Sequence, residues 1–248
     1  MCGRYASFRE DQQLADEFAI ATVADDARLL PPSWNVAPTD GVRLVVDRPD
    51  AQGEIVRQLR VARWGLVPSW ATDPSIGSRL VNARAESLAT SRAFARPFAV
   101  RRGLLPADGY YEWQPPPEGS PKRTPKQPFY IHPADGGPLA LGALYEFWRD
   151  PAKADDDPTR WLVTAVIVTR PASPQLAAIH DRQPLMLPGE LWEPWLDPAV
   201  DADDATELLL TDPPPLVATP VTTAVNAVAN NGPQLLEPVP DVPAIRTQ

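Results

Sequence analysis

Thirty-two of the 248 residues are proline, many in pairs or short clusters. Proline lacks an amide hydrogen and clashes with the preceding helical turn, so a chain so rich in it cannot sustain long helices. Short elements are expected, with strands carrying most of the framework. One helix is signalled near the start, where Ser7 and Glu10 read as a capping box and Leu14 and Phe18 supply an apolar stripe. Further helices are expected at 87–94, 174–179, 189–196 and 203–210. Strands are expected at 42–47, 55–62, 129–132, 139–144 and 161–169. The last is a continuous β-branched run suited to a buried central strand. Proline- and lysine-rich 115–127 and acidic 150–158 read as exposed loops. Strands and helices without βαβ alternation favour a single α+β domain on a mainly antiparallel sheet.

No apolar run approaches the ~20 residues of a membrane span, and the N-terminus lacks an apolar signal region. The expected location is the cytoplasm. A single cysteine excludes an internal disulfide, and with only His132 and His180 beside it a structural zinc site is not expected. No cofactor motif is present.

The net charge of −9 argues against a general nucleic-acid binder, but its distribution is uneven. Residues 57–102 hold nine arginines, no lysine and two acids, Asp73 and Glu86, a net +7 that leaves −16 for the remainder. Such a segment reads equally as a local phosphate-binding face or as a solvated surface with scattered salt bridges. The guanidinium fork matches phosphate oxygens, which tilts the balance towards phosphate.

Four residues stand out chemically. Removal of Met1 exposes Cys2 with a thiol and an α-amine on adjacent carbons. Their reference pKa values, ~8.5 and ~7.7, leave both partly deprotonated near neutrality. Such a pair condenses with aldehydes, the amine forming an imine and sulfur closing a five-membered thiazolidine. Gly3 permits close backbone approach, and Arg4 is expected to hold phosphate and lower the thiol pKa. Glu112 sits among aromatic residues, a setting suited to acid–base work or to an edge strand packed on the core. His180 follows a short helix candidate, where an imidazole serves proton transfer or caps the surface. His132 reads as structural. Asn82 lies in the arginine-rich segment and suits orientation of a sugar or a turn.

Together these segments resemble the SRAP (SOS-response-associated peptidase) family, the abasic-site processing proteins. The resemblance runs from Met1 to about Pro238. Its motifs are Met1-Cys2-Gly3-Arg4-Tyr5, Trp34-Asn35-Val36-Ala37-Pro38, Arg63-Trp64-Gly65-Leu66-Val67-Pro68-Ser69-Trp70 and Asn82-Ala83-Arg84-Ala85-Glu86. They continue with Leu105-Pro106-Ala107-Asp108-Gly109-Tyr110-Tyr111-Glu112-Trp113, Lys126-Gln127-Pro128-Phe129, His180-Asp181-Arg182, Val225-Asn226-Ala227-Val228 and Gly232-Pro233-Gln234-Leu235-Leu236-Glu237-Pro238. Two positions depart from the family pattern, Gly103 in place of a frequent cysteine and Gln183 in place of a frequent Met or Arg.

The resemblance implies a single α+β domain over 1–240 around a curved, barrel-like, mainly antiparallel sheet with flanking helices, then a tail over 241–248. It implies a covalent thiazolidine between Cys2 and an abasic site in single-stranded DNA, shielding the lesion during the damage response. Junctions of single and double strands are a further candidate substrate. Glu112 is then acid–base, His180 assists proton transfer, and Asn82 holds the cysteine and sugar. DNA contacts fall to Gly3, Arg4, Asn35, Pro38, Trp70, Arg84 and Arg182. No metal or cofactor is implied. A monomer is expected, joining the nucleoid on damage. The alternatives are a thiol peptidase that frees its own Met1, pairing Cys2 with His180, and a non-covalent single-strand binding module.

Overall fold

In the computed structural model, residues 2–240 and 242–247 are described. The strands are β1 (Tyr5–Ser7), β2 (Thr22–Val23), β3 (Ser33–Val36), β4 (Gly41–Pro49), β5 (Ile55–Trp64), β6 (Asn82–Arg84), β7 (Arg102–Ala107), β8 (Gly109–Gln114), β9 (Gln127–Pro133), β10 (Leu139–Arg149), β11 (Trp161–Pro171), β12 (Arg182–Pro184), β13 (Leu216–Pro220) and β14 (Ile245–Arg246). The helices are α1 (Asp11–Glu17), α2 (Asp25–Arg28), α3 (Ala95–Val100), α4 (Trp192–Leu196) and α5 (Ala202–Leu208). None exceeds seven residues among the described ones, as the proline content requires.

Strands β11, β10, β7, β4 and β5 neighbour one another in that order. Strand β5 then pairs in parallel with β11, Thr164 opposite Arg63 and Ala165 opposite Trp64, which closes a five-stranded barrel. Alternation fills it. Leu139, Leu141, Ala143 and Tyr145 of β10 join Val42, Leu44 and Val46 of β4 in one buried cluster. Ala140 and Leu144 face the opposite way, into a cluster with Phe98 of α3 and Trp195 of α4. Gly103 is explained here, because a Cβ would stand 2.8 Å from Leu44 Cδ1 and 3.1 Å from the Val45 carbonyl.

The second sheet, β14-β13-β9-β8-β1-β3, supplies Tyr5, Tyr110, Phe129, Ile131, Leu216 and Ala218 to the barrel cluster. Its other face buries Tyr111, Tyr130 and Val225. The fold is thus α+β, with an antiparallel sheet beside the barrel. Ile245–Arg246, within the stretch read from sequence as a tail, pairs with β13.

All five expected strands form, and all five extend further than expected at their C-terminal ends. The first helix starts later than Ser7 implies, because the capping box is made by Glu10 and Gln13. The helix expected at 87–94 is instead a 3-10 turn at Ala85–Ser87, and α3 follows at Ala95. The 174–179 segment is a series of turns rather than a helix. The 189–196 candidate is a 3-10 turn, Gly189–Leu191, running into α4.

Candidate active site

Strand β8 sets the floor. Its two-residue period sends Tyr110 and Glu112 to one face and Tyr111 to the other. Tyr110 accordingly joins the barrel cluster and Tyr111 the outer one. Tyr110 faces Ile131, and Glu112 faces Phe129, across β9. On the other flank Tyr5 lies opposite Tyr110. The ladder runs on towards the N-terminus, with the Tyr111 amide donating to the Arg4 carbonyl at 2.9 Å. Cys2, just before β1, is fully buried in the same cluster as Tyr5 and Tyr110.

Trp64 brings the other wall in. Its ring meets Tyr5 edge-on at 5.3 Å, and its Nε1 donates to the Val81 carbonyl at 2.9 Å. Gly65 follows with φ +122°, its would-be Cβ only 2.5 Å from the Gly77 carbonyl oxygen, so glycine is required. That contact folds the 65–80 excursion back on itself and delivers β6 to β11, Asn82 opposite Ile167.

Asn82 Nδ2 donates to the Cys2 carbonyl at 2.9 Å. This bond fixes the amide's orientation, since a flipped amide would set two oxygens against each other. Asn82 Oδ1 is then buried with no partner among the described residues.

The thiol departs from the expectation. Burial pushes the Cys2 pKa up, and the Glu112 charge pushes it further. A hydrogen bond from the Arg4 amide opposes this, but the Arg4 guanidinium is engaged elsewhere. Its Nη1 donates to Asn35 Oδ1 at 2.7 Å and to the Val225 carbonyl at 2.9 Å, and its Nη2 reaches the Asn226 carbonyl at 3.4 Å. Asn35 is equally committed, its Nδ2 lying within 3.3 Å of the Val225, Ala227 and Asn230 carbonyls. The two side chains clamp the 225–230 loop under β1 and β3.

The turns of 174–179 add Leu176 and Ile179 to the cluster holding Cys2. Gln114 Nε2 donates to the Ala178 carbonyl at 3.2 Å, tying the end of β8 to this segment. His180 follows. Its Nδ1 lies 3.0 Å from the Arg182 amide nitrogen and 2.8 Å from Asp181 Oδ1. One ring nitrogen cannot accept from the first and donate to the second together. A bare Nδ1 takes the amide, and a protonated one takes the carboxylate.

Around this centre, Gly3 and Pro38 are half-buried, and Arg84 is exposed at the end of β6. Pro38 precedes Thr39, whose φ of +79° is unusual for a β-branched residue. Arg182 forms a bidentate pair with Glu86 and also donates to the Thr169 carbonyl at 2.7 Å. Trp70 is exposed, with the Arg92 guanidinium 4.3 Å from its ring centroid. His132 bonds to its own strand and stacks on Tyr130, 5.1 Å between centroids.

Several arginines of the 57–102 segment are structural. Arg57 pairs with Asp47, Arg101 pairs with Glu146, and the buried Arg102 donates to the carbonyls of Phe98, Ala99, Trp195, Asp197 and Val200. Sequence reasoning missed Tyr5 and Tyr110. The available signal was that Tyr110 lies two residues before Glu112 in a strand and so shares its face.

A buried thiol, a carboxylate beside it and an amide gripping the cysteine backbone, set on a barrel with a side sheet, define a family. Residues 1–228 match SRAP, SOS response associated peptidase, and the chain belongs to that family. It is 34% identical to the abasic site processing protein YoqW of Bacillus subtilis, over 96% of this chain and 99% of that protein. It is 32% identical to the abasic site processing protein YedK of Escherichia coli, over 96% and 100%. A crystal structure of a protein from Bacteroides thetaiotaomicron shares the fold, with a TM-score of 0.78 at 20% identity over 96% of this chain and 100% of that one.

Proposed function

We propose that this protein processes abasic sites in single-stranded DNA by forming a thiazolidine crosslink through Cys2. The observation behind this reading is the Asn82 bond to the Cys2 carbonyl at 2.9 Å beside the Glu112 carboxylate. The relatives named for abasic-site processing supply the substrate.

Hydrolysis of the Met1–Cys2 peptide bond frees the α-amine, the one peptidase step the scheme needs. The amine condenses with the aldehyde of the ring-opened sugar, releasing one water and leaving an imine. Sulfur then bonds to the imine carbon, and the thiol proton ends on the ring nitrogen. A thiol whose pKa is raised by burial and by Glu112 stays protonated at neutral pH, so the amine reacts first. Glu112 relays the thiol proton and assists opening of the sugar ring. Asn82 Oδ1 accepts from a sugar hydroxyl, and His180 exchanges protons at the rim. Gly3, Arg4, Asn35, Pro38, Trp70, Arg84 and Arg182 form the strand-contacting surround.

Mixing the protein with an abasic oligonucleotide and running a denaturing gel tests this. A shifted band is expected for the wild type and none for Cys2→Ala. Intact mass of the purified protein checks loss of Met1. Retention of the band in Cys2→Ala sinks the proposal.

A further inference from the structure

The barrel has two ends. Cys2 and the side sheet occupy one, near Ile167 of β11. Trp161 opens the same strand six residues away, about 20 Å at ~3.3 Å per residue. There a cleft of about 690 Å³ opens, bordered by Arg48, Arg60, Arg96, Arg101, Phe147 and Trp161. The proposed reaction uses none of them.

The chemistry of this mouth is specific. Arg48 and Arg101 both lie against the Phe147 ring, at 4.8 and 5.4 Å from its centroid. Arg101 is neutralised by Glu146, the one acid lining the cleft. Arg60 and Arg96 are exposed; Arg60 Nη1 donates to Gln58 Oε1 at 3.2 Å, and neither arginine shows an acidic partner among the described residues. Trp161 is 49% exposed at the rim, with the Arg160 guanidinium 5.9 Å from its ring centroid. In the neighbouring acidic loop, Asp155 pairs with Arg149 and Arg160, and Asp157 accepts from Thr159. Guanidinium groups beside a half-exposed indole suit one ligand chemistry, a phosphate carrying a planar base. In a chain of net charge −9, this local positive charge is a feature of the site and not of the whole surface.

We infer that this far mouth of the barrel is a second contact for a single-stranded nucleic acid, binding phosphate through Arg60 and Arg96 and stacking a base on Trp161. The inference rests on the reading above for the identity of the ligand, and extends it to a stretch of strand remote from the lesion.

The test is fluorescence anisotropy of an undamaged, labelled 20-nucleotide oligothymidylate, which reports binding without any crosslink. The Arg60→Ala/Arg96→Ala variant is expected to bind at least tenfold more weakly at low salt. Its salt dependence, the slope of log K against log salt, is expected to fall by about 1.4, two phosphate contacts at ~0.7 each. Trp161→Ala is expected to lose roughly 5- to 100-fold, and Trp161→Phe to recover most of that. All three positions lie at the surface, and thermal melting confirms folding. Wild-type affinity and slope in these variants overturn the inference. Thymidine monophosphate competing as well as the oligonucleotide also overturns it, by making the site one for free nucleotides. Failure of the abasic-site reading is separate, since it appears as no crosslink in the wild type whatever the anisotropy gives.

Discussion

Asn82 Nδ2 donates to the Cys2 carbonyl oxygen at 2.9 Å, joining the first residue of β6, paired alongside β11, to the chain's second residue. The bond grips the Cys2 carbonyl, so it fixes the Cα that carries both reacting groups without engaging the thiol or the α-amine that loss of Met1 would free. Asn82→Ala removes it and should slow crosslinking about 3- to 10-fold, the equivalent of one hydrogen bond worth ~1 kcal/mol. Asn82→Asp should slow it further, because a carboxylate then opposes the carbonyl. Single-turnover crosslinking rates, with thermal melts to confirm folding, check both.

The raised thiol pKa gives a second prediction with a definite sign. Burial is its first cause and the Glu112 charge its second. Glu112→Gln removes the negative charge and keeps the burial, so the thiolate becomes easier to form. The pH profile for alkylation of Cys2 should move to lower pH in Glu112→Gln. Crosslinking at neutral pH should nonetheless slow at least tenfold, with little change in affinity for undamaged strand, because the proton relay is lost. A profile moving to higher pH, or equal losses in rate and affinity, would count against the assignment of Glu112.

The sequence made the long strands visible and hid the short ones. Strands β10 and β11 are visible over 139–144 and, as a β-branched run, 161–169, and each extends to eleven residues in the structure. Strand β6 is three residues long and exists because Trp64 holds Val81 and because Gly65 tolerates contact with Gly77. Those are long-range facts that no local pattern encodes. At the site, Cys2, Asn82, Glu112 and His180 could be singled out by residue type and motif. Tyr5 and Tyr110 are passed over, since an aromatic in a strand reads as core, although the two-residue spacing of Tyr110 from Glu112 puts it on the same face; both lie in the core cluster that holds Cys2. The fate of each arginine was equally hidden, because Arg60 and Arg102 look alike in a sequence.

Arg102 makes that difference measurable. It is buried and satisfies five backbone carbonyls around α3, α4 and the turn to Val200. Arg102→Met leaves those oxygens buried without donors and should cost about 3–5 kcal/mol. For a domain of this size that corresponds to a Tm drop of roughly 10 °C. Arg60→Ala, on the exposed face of β5, should move Tm by no more than a degree or two. Calorimetry on the two variants separates the structural arginine from the surface one.

In the proposed reading Arg4 would hold both roles at once, and its hydrogens say how they would divide. Both Nη1 hydrogens are spent, on Asn35 Oδ1 and the Val225 carbonyl. Nη2 spends one on the Asn226 carbonyl, at a long 3.4 Å, and keeps one for an incoming phosphate. A purely structural arginine would alter stability alone, and a purely electrostatic one would alter salt dependence alone. Arg4→Ala should therefore lose about 2 kcal/mol of stability through the freed 225–230 loop. It should also lower the salt slope of strand binding by ~0.7, one phosphate contact. Asn35→Ala frees the same loop but carries no charge, so it should reproduce the stability loss and leave the slope unchanged. If the two variants prove identical in both measurements, Arg4 serves only the loop, and the phosphate assignment falls.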